Sequence, residues 1–124
     1  MQPAKRFEDL WVWQQSRILV KQIYGDFAVG RASTDFGFRD QIQRAGVSIM
    51  NNLAEGFERS TDADFARFLD LARSSCAEVR SLYHTAEDLG YVDIALADER
   101  RSTARRLAAG IASLSAYLRT HQPL

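Results

Sequence analysis

Few residues in this chain have the chemistry for catalysis or metal binding. Cys76 is the single cysteine, and the only histidines are His84 and His121. A di-iron carboxylate bundle needs two Glu-x-x-His motifs and two further inward-facing glutamates, whereas His84 and Glu87 occur in the opposite order and only once. Cys76 falls on an apolar helical face, where a free cysteine is usually a small buried hydrophobe. The sequence therefore predicts no catalytic residue, no metal site and no cofactor.

Motifs that bind phosphate through glycine-rich loops are also missing. The segment GRASTDFG, residues 30–37, contains two glycines, but their spacing is that of neither a Walker nor a Rossmann loop. No convergent polar pocket for a small-molecule substrate can be assembled from the remaining residues. We therefore predict that the protein is not an enzyme.

Arginine is the one abundant residue type with recognition chemistry. The chain has fourteen arginines and two lysines against 16 acidic residues, so its formal net charge is zero. Arginine suits bidentate contacts with phosphate, and several arginines recur at helical spacing. The predicted nucleic-acid contacts are Arg39, Arg44, Arg59, Arg73, Arg80, Arg105 and Arg106. The alternative is that they belong to solvated helix faces on which nearby acids balance the charge.

Four helical segments would position these residues. Pro3 and Pro123 lie at the two ends, so no proline interrupts the body of the chain. Apolar residues recur at steps of three and four, which predicts helices at 7–29, 35–58, 61–89 and 93–120. Four helices with short links predict an all-α single domain over residues 1–124, an antiparallel up-down-up-down four-helix bundle.

The first two helical segments are apolar on two sides. A helix of this kind needs two partners, so we predict that one sector faces the core and the other faces a neighbouring subunit of a homo-oligomer. The predicted interface residues are Trp11, Ile18, Phe36, Val47, Met50, Ala54 and Phe57. The alternative is a wide core stripe with a few singly exposed apolar side chains, which are normal in monomers.

The stretch NNLAEGFERS, residues 51–60, interrupts an apolar pattern with polar residues. Asn52 and Gly56 fall on the core stripe of the second segment, where Asn52 needs a hydrogen-bond partner and would then help to fix the register. Gly56 permits close approach of another backbone or ends the helix. Glu55 is expected to pair with Arg59 at i+4. We interpret the stretch as a packing and registry feature.

Four sequence blocks resemble a known family. FEDLWVWQQS, GFRDQIQRAGVSIMNNLAEGFERS, DFARFLDLARSSCAEVRSLY and AEDLGYV resemble successive blocks of the 23S rRNA intervening-sequence proteins, from about residue 7 to 118. The most specific part runs from Gln41 to Gly56, where the family pattern is Gln-Ile-Arg-Arg-Ala-x-x-Ser-Ile-x-x-Asn-Ile-Ala-Glu-Gly. Gln43 replaces the first arginine, Met50 a common proline and Leu53 an isoleucine. The missing proline leaves the helix free to continue without a kink, and the lost arginine weakens any basic groove there.

The resemblance implies an antiparallel four-helix bundle that assembles as a ring, typically a pentamer. Members of the family are encoded within insertions in bacterial 23S rRNA genes or elsewhere in genomes, and their biochemical role is largely unassigned. A related branch is the accessory variability protein of diversity-generating retroelements, which is strongly basic and binds nucleic acid and a reverse transcriptase. The present chain differs from that branch in its zero net charge.

Two functions are compatible with these features. The first is a non-enzymatic, oligomeric helical module that binds RNA or a ribonucleoprotein, and the alternative is a protein-interaction scaffold without nucleic-acid binding. The N-terminal MQPAKRFEDLW has no apolar run of signal-peptide length. No segment approaches the roughly 18 apolar residues of a membrane span, so we expect a cytoplasmic protein without membrane contact.

Overall fold

Helices account for nearly all of the folded chain. The computed structural model describes residues 4–120, and these contain four α-helices and no strand. The helices are α1 (Trp11–Asp26), α2 (Phe36–Phe57), α3 (Asp62–Asp88) and α4 (Ile94–Thr120). Short 3-10 helices at Phe7–Asp9 and Arg31–Thr34 precede α1 and α2. The fold is an all-α four-helix bundle.

The first helical segment is shorter than the predicted 7–29. Leu10 has an extended backbone, with φ −71° and ψ 126°, and it separates the 3-10 turn from α1. The Asp9 carboxylate accepts hydrogen bonds from the backbone N–H groups of Lys5 and Arg6 at 3.3 and 3.2 Å. Such local side-chain bonds compete with helix formation, and they explain why α1 begins only at Trp11.

Polar side chains fix where the other helices begin. Asp35, Thr61 and Asp93 each accept a hydrogen bond from a backbone N–H of the following turn, at 3.2, 3.1 and 2.8 Å. These bonds satisfy donors that have no partner within the first turn of a helix. After α3, Gly90 adopts a positive φ of 70° that favours glycine and turns the chain towards α4.

The core is formed by one stripe from each helix. In α2 it is the stripe that contains Ile42, Ile49 and Leu53, whereas Val47 and Met50 on the second stripe remain partly exposed. The largest fully buried side chains elsewhere are Leu19, Ile23, Phe27, Leu69, Val79, Tyr83, Leu107 and Ile111. The helices therefore bury the periodic apolar face that the sequence predicts, and the second sectors of α1 and α2 are left outside it.

Each helix packs against two others, α1 and α3 each lying between α2 and α4.

Two glycines allow close approach. A Cβ on Gly56 would lie 2.7 Å from Cβ of Phe68, and one on Gly110 would lie 2.7 Å from the Trp11 ring. Larger residues at these positions would force α2 away from α3 and α4 away from α1.

Candidate nucleic-acid and assembly surfaces

The arginines predicted on α2 are occupied by groups of their own chain. Arg39 donates to the backbone oxygen of Ser33 at 2.7 Å, and Arg44 pairs with Asp40 at 2.8 Å. Arg59 lies beyond the end of α2, over the Phe68 ring at 4.5 Å. Exposed pairs such as Arg44–Asp40 contribute little stability. Of these three arginines, Arg44 is the one that a ligand could recruit most easily.

The arginines predicted on α3 and α4 make fewer contacts with other groups of the chain. Arg73 and Arg80 line one shallow depression of about 420 Å³ between the two helices, with Ala77 and Ala108 among its other walls. Arg105 precedes Ala108 by one helical turn and is exposed. None of these three guanidinium groups has a hydrogen-bond or ion-pair partner between residues 4 and 120. Two of the seven predicted contacts, Arg73 and Arg80, therefore share one depression, and helical spacing places Arg105 one turn from its Ala108 wall.

Arg106 stands apart from this group. It is exposed and donates to the hydroxyl oxygens of Ser102 and Thr103 on its own helix, at 3.3 and 3.4 Å. Long bonds of this kind to neutral acceptors hold a guanidinium weakly. Arg106, Arg39, Arg44 and Arg59 therefore form no common surface with the α3–α4 arginines.

A buried ion pair escaped the sequence analysis. Arg100 donates from Nε and Nη2 to the two carboxylate oxygens of Asp26 at 2.8 and 3.0 Å, and their side chains are only 12% and 8% exposed. The Tyr83 hydroxyl donates to the same carboxylate at 2.7 Å. The hydrogen bond to Asp26 raises the pKa of Arg100, and burial, with Asp26 beside it, raises that of Tyr83. This cluster connects α1, α3 and α4 and keeps a charged pair satisfied inside the bundle.

Asn52 is partly exposed, and its side chain bonds within α2. Asn52 Nδ2 donates to the backbone oxygen of Ser48 at 2.8 Å and to its hydroxyl at 3.0 Å. The Ser48 hydroxyl in turn bonds with that of Ser75 on α3 at 2.8 Å. Asn52 therefore acts on the register of α2 against α3 through Ser48. Gly56 is buried and permits the close approach of Phe68.

The expected pairing of Glu55 with Arg59 was wrong. Arg59 lies in the turn after Phe57, where i,i+4 geometry no longer holds, and it pairs with Asp64 of α3 at 3.9 Å. Glu55 is exposed and has no hydrogen-bond or ion-pair partner among residues 4–120. The end of the helix, rather than residue spacing, decides this contact.

The predicted interface residues lie on two different sides of α1. Trp11, 53% exposed, rests against Gly110 of α4, and Ile18, 50% exposed, follows two turns later on the same side. Val47 of α2 instead shares a shallow depression with Tyr24 of α1. Tyr24 is about 120° around the helix from Ile18. We call these the α1–α4 patch (Trp11, Ile18) and the α1–α2 patch (Tyr24, Phe36, Val47, Met50, Ala54).

Both patches expose apolar surface. In the α1–α2 patch Phe36 is 72% exposed and Tyr24 about half exposed, while Val47, Met50 and Ala54 are partly exposed. Phe57 does not belong to either patch, because it packs edge-to-face on Phe65 with ring centroids 6.0 Å apart. It lines a larger depression, of about 1100 Å³, at the end of the bundle where α1 begins.

The described residues offer little for catalysis or metal binding. The Cys76 thiol is fully buried, and this burial raises its pKa to about 12. Within residues 4–120 no group of three or more His, Cys, Asp or Glu side chains is placed to hold a metal ion; His121 lies outside that range. None of the helices described here is long and apolar enough to cross a bilayer.

Comparisons with known proteins agree with this architecture. The model of the family described as 23S rRNA-intervening sequence protein matches residues 8–113. A crystal structure of a protein of unknown function from the S23 ribosomal protein family of Bacteroides thetaiotaomicron VPI-5482 has a TM-score of 0.78 and 19% sequence identity to this chain. The match covers 85% of this chain and 95% of that one, and at this identity it shows the fold alone. A comparison with curated proteins finds no match. Since the family match spans most of its length, the chain belongs to the family of 23S rRNA-intervening sequence proteins.

Proposed function

We propose that this protein is a non-enzymatic helical-bundle module that assembles into a ring-like homo-oligomer and binds RNA or a ribonucleoprotein. The observation that carries the proposal is the pair of exposed apolar patches on different sides of α1. Neither patch is needed to fill the core of the single chain, which is closed without them. An apolar surface of this kind in a protein marks an interaction site more often than a solvent-facing surface.

The bundle that presents these patches has antiparallel up-down-up-down topology in this proposal. Contacts between α1 and α4 support it, since Trp11 lies on Gly110 while Asp26 pairs with Arg100. Residue numbers therefore rise along α1 as they fall along α4. The contacts of α2 with α3 follow the same order, as short connections between neighbouring helices require.

A ring is the assembly that two unlike patches favour. In a head-to-tail ring each subunit offers one surface to the next and a different surface to the one before, whereas a two-fold dimer uses the same surface twice. The α1–α4 patch and the α1–α2 patch provide two such surfaces. The number of subunits, five, comes from the resemblance to the family.

Charge-inserting variants test this assembly. Ile18→Asp alters the α1–α4 patch and Val47→Asp the α1–α2 patch, and Leu71→Asp on α3 is the matched control because Leu71 is also an exposed apolar residue. By light scattering after gel filtration, we expect both patch variants to lose mass while their far-ultraviolet helicity is unchanged. The control should keep the mass of the unmodified protein.

Mixing the two patch variants sharpens the test. Each retains one intact patch, so a head-to-tail interface restores a dimer when Ile18→Asp and Val47→Asp are combined. Self-complementary interfaces would instead let each variant dimerise on its own through its intact patch, and mixing the two would change nothing. If the wild-type protein has the mass of a monomer in this measurement, the proposed assembly is wrong.

The RNA part of the proposal has separate support. The family description concerns sequences that intervene in 23S rRNA, and three arginines on α3 and α4 have no partner among the residues that the structure describes. An RNA or ribonucleoprotein partner would place the protein in the cytoplasm. Binding through phosphate contacts should weaken steeply with salt. Fluorescence anisotropy with labelled RNA at several salt concentrations measures this dependence.

The second candidate is a protein-interaction scaffold without nucleic-acid binding. The zero net charge favours it, because no overall field attracts a polyanion. Affinity capture from lysate with and without nuclease separates the two candidates. Partners that remain after nuclease treatment, together with no RNA binding at low salt, would favour the scaffold.

A further inference from the structure

Most arginines of this protein have an internal partner, and the exceptions lie together. All fourteen fall within the described residues, and eleven contact a carboxylate, a hydroxyl or backbone oxygen, or an aromatic ring. The three that have no such partner among residues 4–120 are Arg73, Arg80 and Arg105. They belong to the seam between α3 and α4, and each of the other eleven arginines has a partner within that range.

The three arginines form a row. Arg73 and Arg80 are seven residues apart, about two turns or ~10 Å along α3. Arg80 lies near Ala108 in the same depression, and Arg105 is one turn, ~5 Å, further in the same direction. The Nε of Arg80 is buried against the seam and lacks an acceptor. A buried donor without an acceptor is costly, and an oxygen anion that entered the groove would satisfy it.

Ion pairs close the two ends of the row. Arg119 and Asp70 lie at one end with their charged groups 3.5 Å apart, and Arg101 pairs with Glu87 at 3.0 Å at the other. Arg101 also contacts Asp98. The seam therefore holds five arginines against three carboxylates, and the carboxylates are engaged by the terminal arginines. The uncompensated positive charge is concentrated in the middle.

The lining of the groove gives a strand access to the guanidinium groups. Besides Arg73 and Arg80 it consists of the small side chains of Ser74, Ala77 and Ala108 and, at one end, Asp70. No aromatic ring is among the described side chains that line it, which leaves no stacking platform for bases. The row extends over ~15 Å, further than one phosphate can reach. This combination favours successive phosphates over a single anion.

We infer that the α3–α4 groove, through Arg73, Arg80 and Arg105, binds the phosphodiester backbone of an RNA strand without reading its bases. The inference rests on the RNA part of the proposed function and identifies its site. Guanidinium groups contact phosphate oxygens bidentately. Affinity should then depend on salt and only weakly on RNA sequence.

Two charge-matched triple variants test the site. Arg73→Gln/Arg80→Gln/Arg105→Gln removes the row, and Arg6→Gln/Arg31→Gln/Arg67→Gln removes the same charge from exposed arginines that already have partners. Fluorescence anisotropy with a labelled single-stranded RNA should show an affinity loss of about tenfold or more for the first variant. Its slope of log affinity against log salt should fall by about two, from roughly 0.7 per lost phosphate contact. The control should retain its slope.

The remaining outcomes separate the possible failures. An equal loss of RNA affinity in both triple variants would show that the protein binds RNA but not through the α3–α4 groove. No RNA binding by the wild-type protein at low salt would overturn the groove and the RNA function together. Equal affinities for a labelled mononucleotide and for the RNA strand would show that the groove takes a lone phosphate, which contradicts a strand. Arg73→Lys/Arg80→Lys/Arg105→Lys controls for folding, since it keeps the charge and should retain most of the salt slope.

Discussion

The two ends of the bundle are held by different forces. At the polar end, where α1 finishes and α4 begins, the Asp26 carboxylate binds Arg100 and Tyr83 with little exposure to water. At the apolar end, where α1 begins and α2 finishes, Trp11 and Phe57 line an open depression of about 1100 Å³. The polar end has buried directional bonds in addition to the packing of Phe27 on Tyr83, whereas the buried contacts at the apolar end are mainly between apolar side chains.

The difference matters because the two kinds of contact tolerate change unequally. A directional network loses most of its value when one member is removed, since the others are left unsatisfied. An apolar cluster loses stability in proportion to the volume that no longer fits. Removing one side chain from the polar end should therefore lower the free energy of unfolding strongly, although few residues are involved. At the apolar end, a substitution that adds atoms should lower it.

The largest effect is expected from Asp26→Ala. This change leaves Arg100 buried without its anion and Tyr83 without its acceptor, and removing one partner of a buried pair costs about 3–5 kcal/mol. Asp40→Ala is the control, because Asp40 also accepts a 2.8 Å bond from an arginine Nε, that of Arg44, but in solvent, and its loss should cost at most about 0.5 kcal/mol. Urea denaturation measures both free energies of unfolding. Similar losses would mean that the polar end has no special role.

A smaller effect is expected at the apolar end from Gly56→Ala. The added Cβ would lie 2.7 Å from Cβ of Phe68 and 2.9 Å from the Phe65 ring, and overpacking of this kind costs about 1–3 kcal/mol. Gly25→Ala is the control, since nothing lies within 4 Å of that position in α1. At this position the higher helix propensity of alanine should raise the free energy of unfolding by up to about 1 kcal/mol. A stabilised Gly56→Ala variant would show that the apolar end is loosely packed.

The smallest effect is expected at the polar end and concerns the change in stability with falling pH. The Tyr91 hydroxyl donates to Asp35 at 2.7 Å and, together with the backbone N–H of Phe38, lowers the pKa of that carboxyl below 3.8. A lowered folded-state pKa contributes stability above the unfolded value, and this contribution is lost as the pH falls through the folded value. The stability difference between wild type and Tyr91→Phe should thus be constant near neutrality and shrink below pH 3.8.

Tyr24→Phe provides the comparison for this pH series. Tyr24 is exposed, and its hydroxyl has no partner among the residues that the structure describes. Its removal should leave the urea midpoint unchanged at every pH. A difference for Tyr91→Phe that persists unchanged into strong acid would contradict the role of Asp35.

Local features of the fold could be predicted from the sequence, whereas distant pairings could not. Thr61 and Asp93 begin helices as their positions indicate, because capping depends on residues within one turn. The apolar helical face on which the sequence places Cys76 is likewise buried in α3. The break at Leu10 was missed because it depends on the Asp9 carboxylate bonding to the preceding backbone.

In the candidate site, too, local features could be predicted from the sequence and distant contacts could not. Helical spacing indicated which arginines face outward, but whether each one is free depends on acids from other helices. Arg100 and Asp26 are 74 residues apart, and no periodic pattern relates them. The isolation of Arg73, Arg80 and Arg105 depends on where the carboxylates of other helices lie, and local spacing does not give those positions.

The buried position of Cys76 has a practical consequence for chemical labelling. It is the only thiol in the chain, and both its enclosure and its raised pKa keep it from reacting as a thiolate in the folded state. A maleimide dye would therefore attach selectively to a cysteine introduced at the surface, for example at Ser74. A fluorophore placed there would report directly on anything that enters the neighbouring seam, without first removing the native cysteine.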